Sequence, residues 1–164
     1  MTSLYVGWAS LVNCEPASRS AITPVKRPLL EDFRLPMRQH EILIRVRYQE
    51  TDAQGRVHHA NYLTYFEQGR VEFLRAMGHS YRELEATGIM LVVSEMQVQY
   101  YLPACYDDEL LLETKIVRAK GARIEHAYRV TRGEELLVTG KSTIACISSD
   151  GRVRRLPDFL LPPE

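Results

Sequence analysis

The chain has 164 residues, 45% of them apolar, which is enough for the core of one domain and little more. Its 21 Lys and Arg balance 21 Asp and Glu, so it lacks the basic excess of a nucleic-acid-binding protein. No run reaches the roughly 20 apolar residues that a membrane-crossing helix needs, so no integral membrane segment is expected.

Residues 1–38 carry Pro16, Pro24, Pro28 and Pro36 among scattered Ser and Arg, with no sustained period of 2 or 3.6. They read as an extension outside the fold. The mildly apolar stretch 4–12 has no preceding Lys or Arg and no small-residue cleavage site, so it reads as part of that extension rather than as a signal peptide. A single domain is expected over residues 39–156, with a short Pro-punctuated tail at 157–164.

Residues 40–48 (HEILIRVRY) alternate as a half-buried strand should. The loop ETDAQGRVHHA follows. Asn61 is a good N-cap type for the helix after it. Tyr62, Phe66, Gly69, Phe73 and Met77 fall near one helix face, and Gly78 sits where a left-handed helix-ending residue belongs. Glu67 with Arg70, and Glu72 with Arg75, are spaced to pair on the exposed side. Gly69 costs a helix interior about 1 kcal/mol relative to Ala, which is explained if the helix approaches a sheet closely there. A second helical turn is expected at 81–86.

The remainder reads as four strands, at 89–101, 109–118, 123–131 and 136–148. Lys120-Gly121, Arg132-Gly133 and Asp150-Gly151 are turn signals. Leu110, Leu112, Thr114 and Ile116 share one face, as do Ile124, His126, Tyr128 and Val130. The short connections imply antiparallel neighbours. The fold class is therefore α+β, one long helix against a five-stranded antiparallel sheet. Apolar-rich strands with open edges predict at least a dimer.

The three cysteines, Cys14, Cys105 and Cys146, show no CxxC pair and no metal-ligand spacing, and an odd count fits a disulfide framework poorly. They read as thiols in a reducing compartment. His58 and His59 are neighbours without nearby Cys or Glu partners, which makes a poor metal site, so no metal is expected.

The chemistry concentrates between residues 48 and 70. Asp52 sits on a loop ahead of a helix, Gly55 follows where the backbone must turn, and His59 precedes the helix start. A helix N-terminus offers unpaired N–H groups and partial positive charge, which suits an oxyanion developing on a thioester carbonyl. A carboxylate opposite those donors serves as base or as nucleophile. There is no Gx-Ser-xG elbow.

The segment RVRYQETDAQGRVHHANYLTYFEQGRVEFL resembles the signature of the 4-hydroxybenzoyl-CoA thioesterase-like family. It is most similar to the acyl-CoA thioesterase branch associated with the Tol–Pal cell-envelope system. The resemblance implies a hotdog fold, with the long central helix wrapped by the sheet, and homodimers paired into a dimer of dimers with sites at subunit interfaces. It implies an acyl-CoA substrate, no cofactor beyond the coenzyme A of that substrate, and a cytoplasmic enzyme. Asp52 falls on the family's catalytic Asp, as nucleophile or general base. His59 falls where the branch carries a functional His, and in related enzymes the backbone N–H there polarises the thioester carbonyl. Tyr48 falls on a Tyr that the branch places near the site. Glu67 matches an acidic position that another hotdog group uses, a role not expected here with Asp52 present. His58 departs from the aromatic residue often found there, which puts the substrate in question rather than the reaction.

Substrate contacts are expected from Asn61 at the helix start, where the carbonyl docks. Tyr62 and Phe66 are core rings whose surface also lines the acyl tunnel. Arg118, Lys120 and Arg123 around the Gly121 turn are expected to meet the coenzyme A phosphates, with Arg152, Arg154 and Arg155 as a second basic group. Two rival readings remain at this level: an acyl-CoA-binding hotdog protein without turnover, and a hotdog hydratase or dehydratase.

Overall fold

The computed structural model describes residues 38–161. Five strands form one antiparallel sheet: β1 Gln39–Arg45, β2 Ile89–Tyr100, β3 Glu109–Lys120, β4 Arg123–Arg132 and β5 Glu135–Ser148, in the order β1-β3-β4-β5-β2. Helix α1, Asn61–Ala76, and the short α2, Tyr81–Ala86, connect β1 at one edge to β2 at the other. The chain thus crosses the whole face of the sheet in helical form, and α1 covers that face.

The residues expected to look inward do so. Leu110, Leu112, Thr114 and Ile116 of β3, and Ile124, His126, Tyr128 and Val130 of β4, are all buried. They meet Tyr62, Tyr65, Phe66, Gly69, Arg70, Phe73 and Leu74 of α1. The opposite face of the sheet is polar, with Glu41 beside Glu113, Glu113 beside Arg129 and Glu95 beside Thr143 in the cross-strand register.

Two glycines set the fit of helix to sheet. A Cβ on Gly69 would collide with the Thr114 hydroxyl and stand 2.8 Å from a Leu112 methyl. A Cβ on Gly140 of β5 would stand 2.5 Å from the Phe66 ring. Overpacking of this kind costs about 1–3 kcal/mol, more than the roughly 1 kcal/mol of helix propensity that Ala offers over Gly. Gly69→Ala is therefore expected to lower stability in urea unfolding, by about 1 kcal/mol or more. An unchanged midpoint would show that the helix stands off further than the contacts indicate.

Helix α1 ends as anticipated. Gly78 takes φ +84°, its N–H donates to the Arg75 carbonyl, and the His79 N–H reaches back to Leu74. That is the Schellman arrangement, which only a left-handed residue after the helix permits easily.

Five local expectations change. The first strand stops at Arg45, and Tyr48–Glu50 forms a 3-10 turn. β2 and β3 are consecutive but not neighbours, so residues 101–108 are a crossing rather than a tight turn. This segment passes from Leu137, whose carbonyl accepts the N–H of Tyr101 and Leu102, to Val46, whose carbonyl accepts that of Asp107. Glu67 and Arg70 do not pair on the surface: Arg70 turns inward to the Tyr128 hydroxyl at 2.9 Å, whereas Glu72 and Arg75 do pair. Residues 157–161, set aside above as tail, pack onto the body, with Leu160 buried and Phe159 stacked on His79. Cys14 lies outside the described residues, as does nearly all of the expected extension. Cys146 is a buried thiol and Cys105 is disulfide-bonded, which departs from the expectation of thiols alone.

Candidate active site

The loop between the 3-10 turn and α1 is closed by an antiparallel bridge between Thr51 and Val57. Inside it, the Asp52 N–H donates to the Arg56 carbonyl at 2.8 Å, and the Gly55 N–H donates to the Asp52 carbonyl at 2.9 Å. Gly55 sits at φ +74°, the left-handed conformation that favours glycine. The Asp52 carboxylate accepts the N–H of Gln54 at 2.8 Å and of Arg56 at 3.4 Å, both through Oδ1. Its Oδ2 accepts no hydrogen bond among the described residues. One oxygen is thereby fixed by the loop's own backbone while the other remains available for chemistry.

The start of α1 differs from expectation. Asn61 is the first helical residue, not the cap; Ala60 holds the cap position with helical dihedrals and no side-chain cap. The Asn61 amide instead donates to the Glu50 carbonyl at 2.6 Å. The same carbonyl accepts the His58 N–H at 2.8 Å. His58 then consumes the nearby donors: its carbonyl accepts the Asn61 N–H at 2.9 Å, and its Nδ1 faces the Ala60 N–H at 3.3 Å. The His59 N–H has no acceptor among the described residues. Of these two backbone N–H groups, the one left without an acceptor among the described residues is thus that of His59 rather than Asn61. The His59 carbonyl is held by the Tyr100 hydroxyl at 3.1 Å, and the His58 and His59 rings lie 4.1 Å apart.

Beneath this loop lies a residue that spacing did not single out. Glu50 is 5% exposed, and its carboxylate accepts the Tyr65 hydroxyl at 2.8 Å. It also accepts the Arg47 backbone N–H at 2.7 Å and the Arg47 guanidinium at 2.7 and 2.9 Å. Burial alone would raise the Glu50 carboxyl above its ordinary value. The hydrogen bonds from Arg47 and Tyr65 outweigh it and hold the carboxyl below that value. Tyr65 is pushed up, by burial and by its bond to Glu50. Glu50 therefore uses its carbonyl to hold the His58–Asn61 segment and its side chain to hold α1. The only sequence hint was that YQE breaks the alternation of the preceding strand.

The crossing segment completes the surround. The Val57 N–H donates to Ala104, Arg56 bridges Cys105, and Arg132 meets Asp108 at 2.7 Å. Asp52, His59 and Asn61 are brought onto one loop and helix start. The other expected site residues are not. Tyr48 is 79% exposed and meets Tyr106 edge-on at 5.6 Å rather than Asp52 or His59. Tyr62 and Phe66 are core, and burial pushes the Tyr62 phenol up to about 12. Arg118, Lys120 and Arg123 lie at the β3–β4 turn, whereas the Asp52 loop abuts residues just before β3. Most of the twelve residues of β3 separate the two ends, roughly 30–35 Å at strand rise, so within one chain these cations stand far from this carboxylate. Glu67 is exposed. Among the described residues no group of three His, Cys, Asp or Glu gathers as a metal site, and no helix is long and apolar enough to cross a membrane.

A helix laid on a five-stranded antiparallel sheet and entered from the Asp52 loop has close parallels. The chain is 35% identical over 105 residues, 63% of its own length and 78% of the relative's, to the acyl-CoA thioester hydrolase YbgC of Escherichia coli. A solved structure described as a probable thioesterase from Bartonella henselae superposes with TM-score 0.70 at 40% identity, covering 73% of this chain and 99% of that one. The DHNA-CoA thioesterase of Staphylococcus aureus superposes with TM-score 0.70 at 30% identity, covering 73% and 82%. The model of the thioesterase-like superfamily matches residues 46–163, which take in the Asp52 loop, α1 and four of the five strands. The chain belongs to the thioesterase-like superfamily and carries its hotdog fold.

Proposed function

We propose that this protein hydrolyses the thioester of an acyl-coenzyme A to the free acid and coenzyme A, with Asp52 as its reacting carboxylate. The names of the relatives support the substrate class. The observation that carries the role of Asp52 is its asymmetric anchoring: Oδ1 is held by two backbone N–H groups, and Oδ2 is open.

In this reading the thioester carbonyl docks on the His59 N–H, which stabilises the oxyanion as charge develops. Asp52 Oδ2 then attacks the carbonyl carbon, the carbon–sulfur bond breaks, and coenzyme A leaves as thiolate. Water hydrolyses the resulting anhydride. In the second route Oδ2 takes a proton from water, and the hydroxide attacks directly. The His59 side chain orients the thioester or assists the leaving thiolate. The reaction needs no cofactor.

The acting form is a homodimer, pairing further into a dimer of dimers. β2 is a twelve-residue edge strand without Lys or Pro, with one register shift at Val93–Glu95, and it exposes Met90, Val92 and Val93 to a partner strand. A second subunit would also bring Arg118, Lys120 and Arg123 within reach of a coenzyme A bound at the first.

Thiol release over a panel of acyl-CoAs graded by chain length and aromaticity tests the reaction and ranks the acyl groups. Tight acyl-CoA binding without thiol release would replace hydrolysis by simple binding, and hydration of an enoyl thioester would replace it by lyase chemistry. One turnover in heavy-oxygen water tests for the anhydride route: label found in Asp52 requires it, because general-base attack puts label only in the released acid.

A further inference from the structure

We propose that Arg70, Tyr81 and His126 form a binding site for a small monovalent anion of the halide class, buried between α1, α2 and β4. Arg70 is 7% exposed, and among the described residues it has no carboxylate within ion-pairing distance. Its Nη1 donates to the Tyr128 hydroxyl at 2.9 Å, and that hydroxyl lies 2.6 Å from Ser142 Oγ. Tyr81 lines the same cavity as the guanidinium. All of these partners are neutral. A guanidinium has five N–H donors, and burying its charge without an opposite charge is strongly unfavourable.

A second observation points the same way. His126 is 7% exposed, and its Nδ1 has no partner among the described residues. Burial, reinforced by the nearby Arg70, holds this imidazole down to about 3, so it is neutral at ordinary pH. A neutral ring protonated on Nδ1 offers an N–H donor and no competing positive charge. Arg70, Tyr81 and His126 line a common cavity of about 20 Å³, whose remaining walls include Phe73, Ile116 and Ile144. That volume holds one water-sized body. A carboxylate or phosphate does not fit, whereas a single-atom anion does, and it supplies the charge that Arg70 lacks.

Arg70 lies nine residues along α1 from Asn61, about 13 Å at helical rise, so the site is separate from the Asp52 loop. It stands whether or not the protein proves to be an acyl-CoA hydrolase.

Thermal unfolding of the full chain in sodium chloride and in sodium gluconate at equal ionic strength is the test. Chloride is expected to raise the Tm with saturation, because a ligand that binds only the native state stabilises it by mass action. Gluconate, too large for the cavity, is expected to give no such increment. His126→Phe keeps a ring in place but removes a donor, and is expected to raise the half-saturating chloride concentration about tenfold. Arg70→Gln is expected to abolish the dependence. Crystals soaked in bromide are expected to show an anomalous peak beside the Arg70 guanidinium. Equal Tm in the two salts, a chloride effect unchanged in His126→Phe, or bromide bound only elsewhere would each overturn the assignment and leave water as the occupant.

Discussion

Asp52→Asn is expected to lower kcat for thiol release by about 10²–10⁴-fold, the range that a positioned acid–base group contributes. The fold should be untouched. Asn keeps a carbonyl oxygen where Oδ1 now accepts the Gln54 and Arg56 N–H groups, so the loop keeps its anchors. What disappears is the negative Oδ2, which both hydrolytic routes require. KM is expected to move little, because the carboxylate acts on the transition state more than on bound substrate. Steady-state thiol release and a melting curve on the same preparation check both halves of the expectation. Activity near wild type in a folded Asp52→Asn protein would remove Asp52 from the mechanism.

The second large effect is structural. Glu50→Ala is expected to cost about 2–4 kcal/mol of stability, mostly because the Tyr65 hydroxyl and the Arg47 N–H lose a buried acceptor. The Arg47 side chain is mostly exposed and regains water, which keeps the loss below that of a fully buried ion pair. The sign of the pH dependence follows from the carboxyl's direction. The folded state holds Glu50 below its ordinary value, so the folded state favours the ionised form. Its contribution is fully present above the ordinary carboxylate range and fades as pH falls through that range. Urea unfolding between about pH 7 and pH 3 should show wild type losing stability toward acid, and Glu50→Gln losing less. Parallel curves for the two proteins would mean that the Glu50 carboxyl titrates alike in the folded and unfolded states.

Much of this architecture was legible before any coordinates. Period-2 alternation located the strands, because each buries one face only: Leu110, Leu112, Thr114 and Ile116 were assigned inward from their spacing, and all are buried. Gly69 was legible because a mid-helix glycine is costly without a reason, and the reason is Thr114. Strand order was not legible, since the length of the 101–108 connection does not say that the chain must cross the end of the sheet to reach β3. Arg70 misled because an i, i+3 acidic neighbour suggests a surface pair, whereas the Tyr128 hydroxyl, remote in sequence, draws it inward. At the candidate site, Asp52 and His59 were singled out by loop chemistry and resemblance. Glu50 was missed because its role depends on Tyr65, a long-range contact that no local pattern encodes. The cations expected to meet coenzyme A illustrate a different limit: a basic turn is visible in sequence, but its distance from the carboxylate is a property of the sheet.

The two glycine contacts also bear on how this protein can be engineered. Gly69 receives the sheet at one point on α1, and Gly140 receives Phe66 at another, so the helix is keyed to the sheet twice. A slide by one turn, about 5.4 Å, would drive side chains into both notches. Redesign toward a bulkier acyl group therefore has little room to shift α1 wholesale. Mutagenesis libraries for altered selectivity are better spent on the exposed β2 rim than on the inward stripe of the helix.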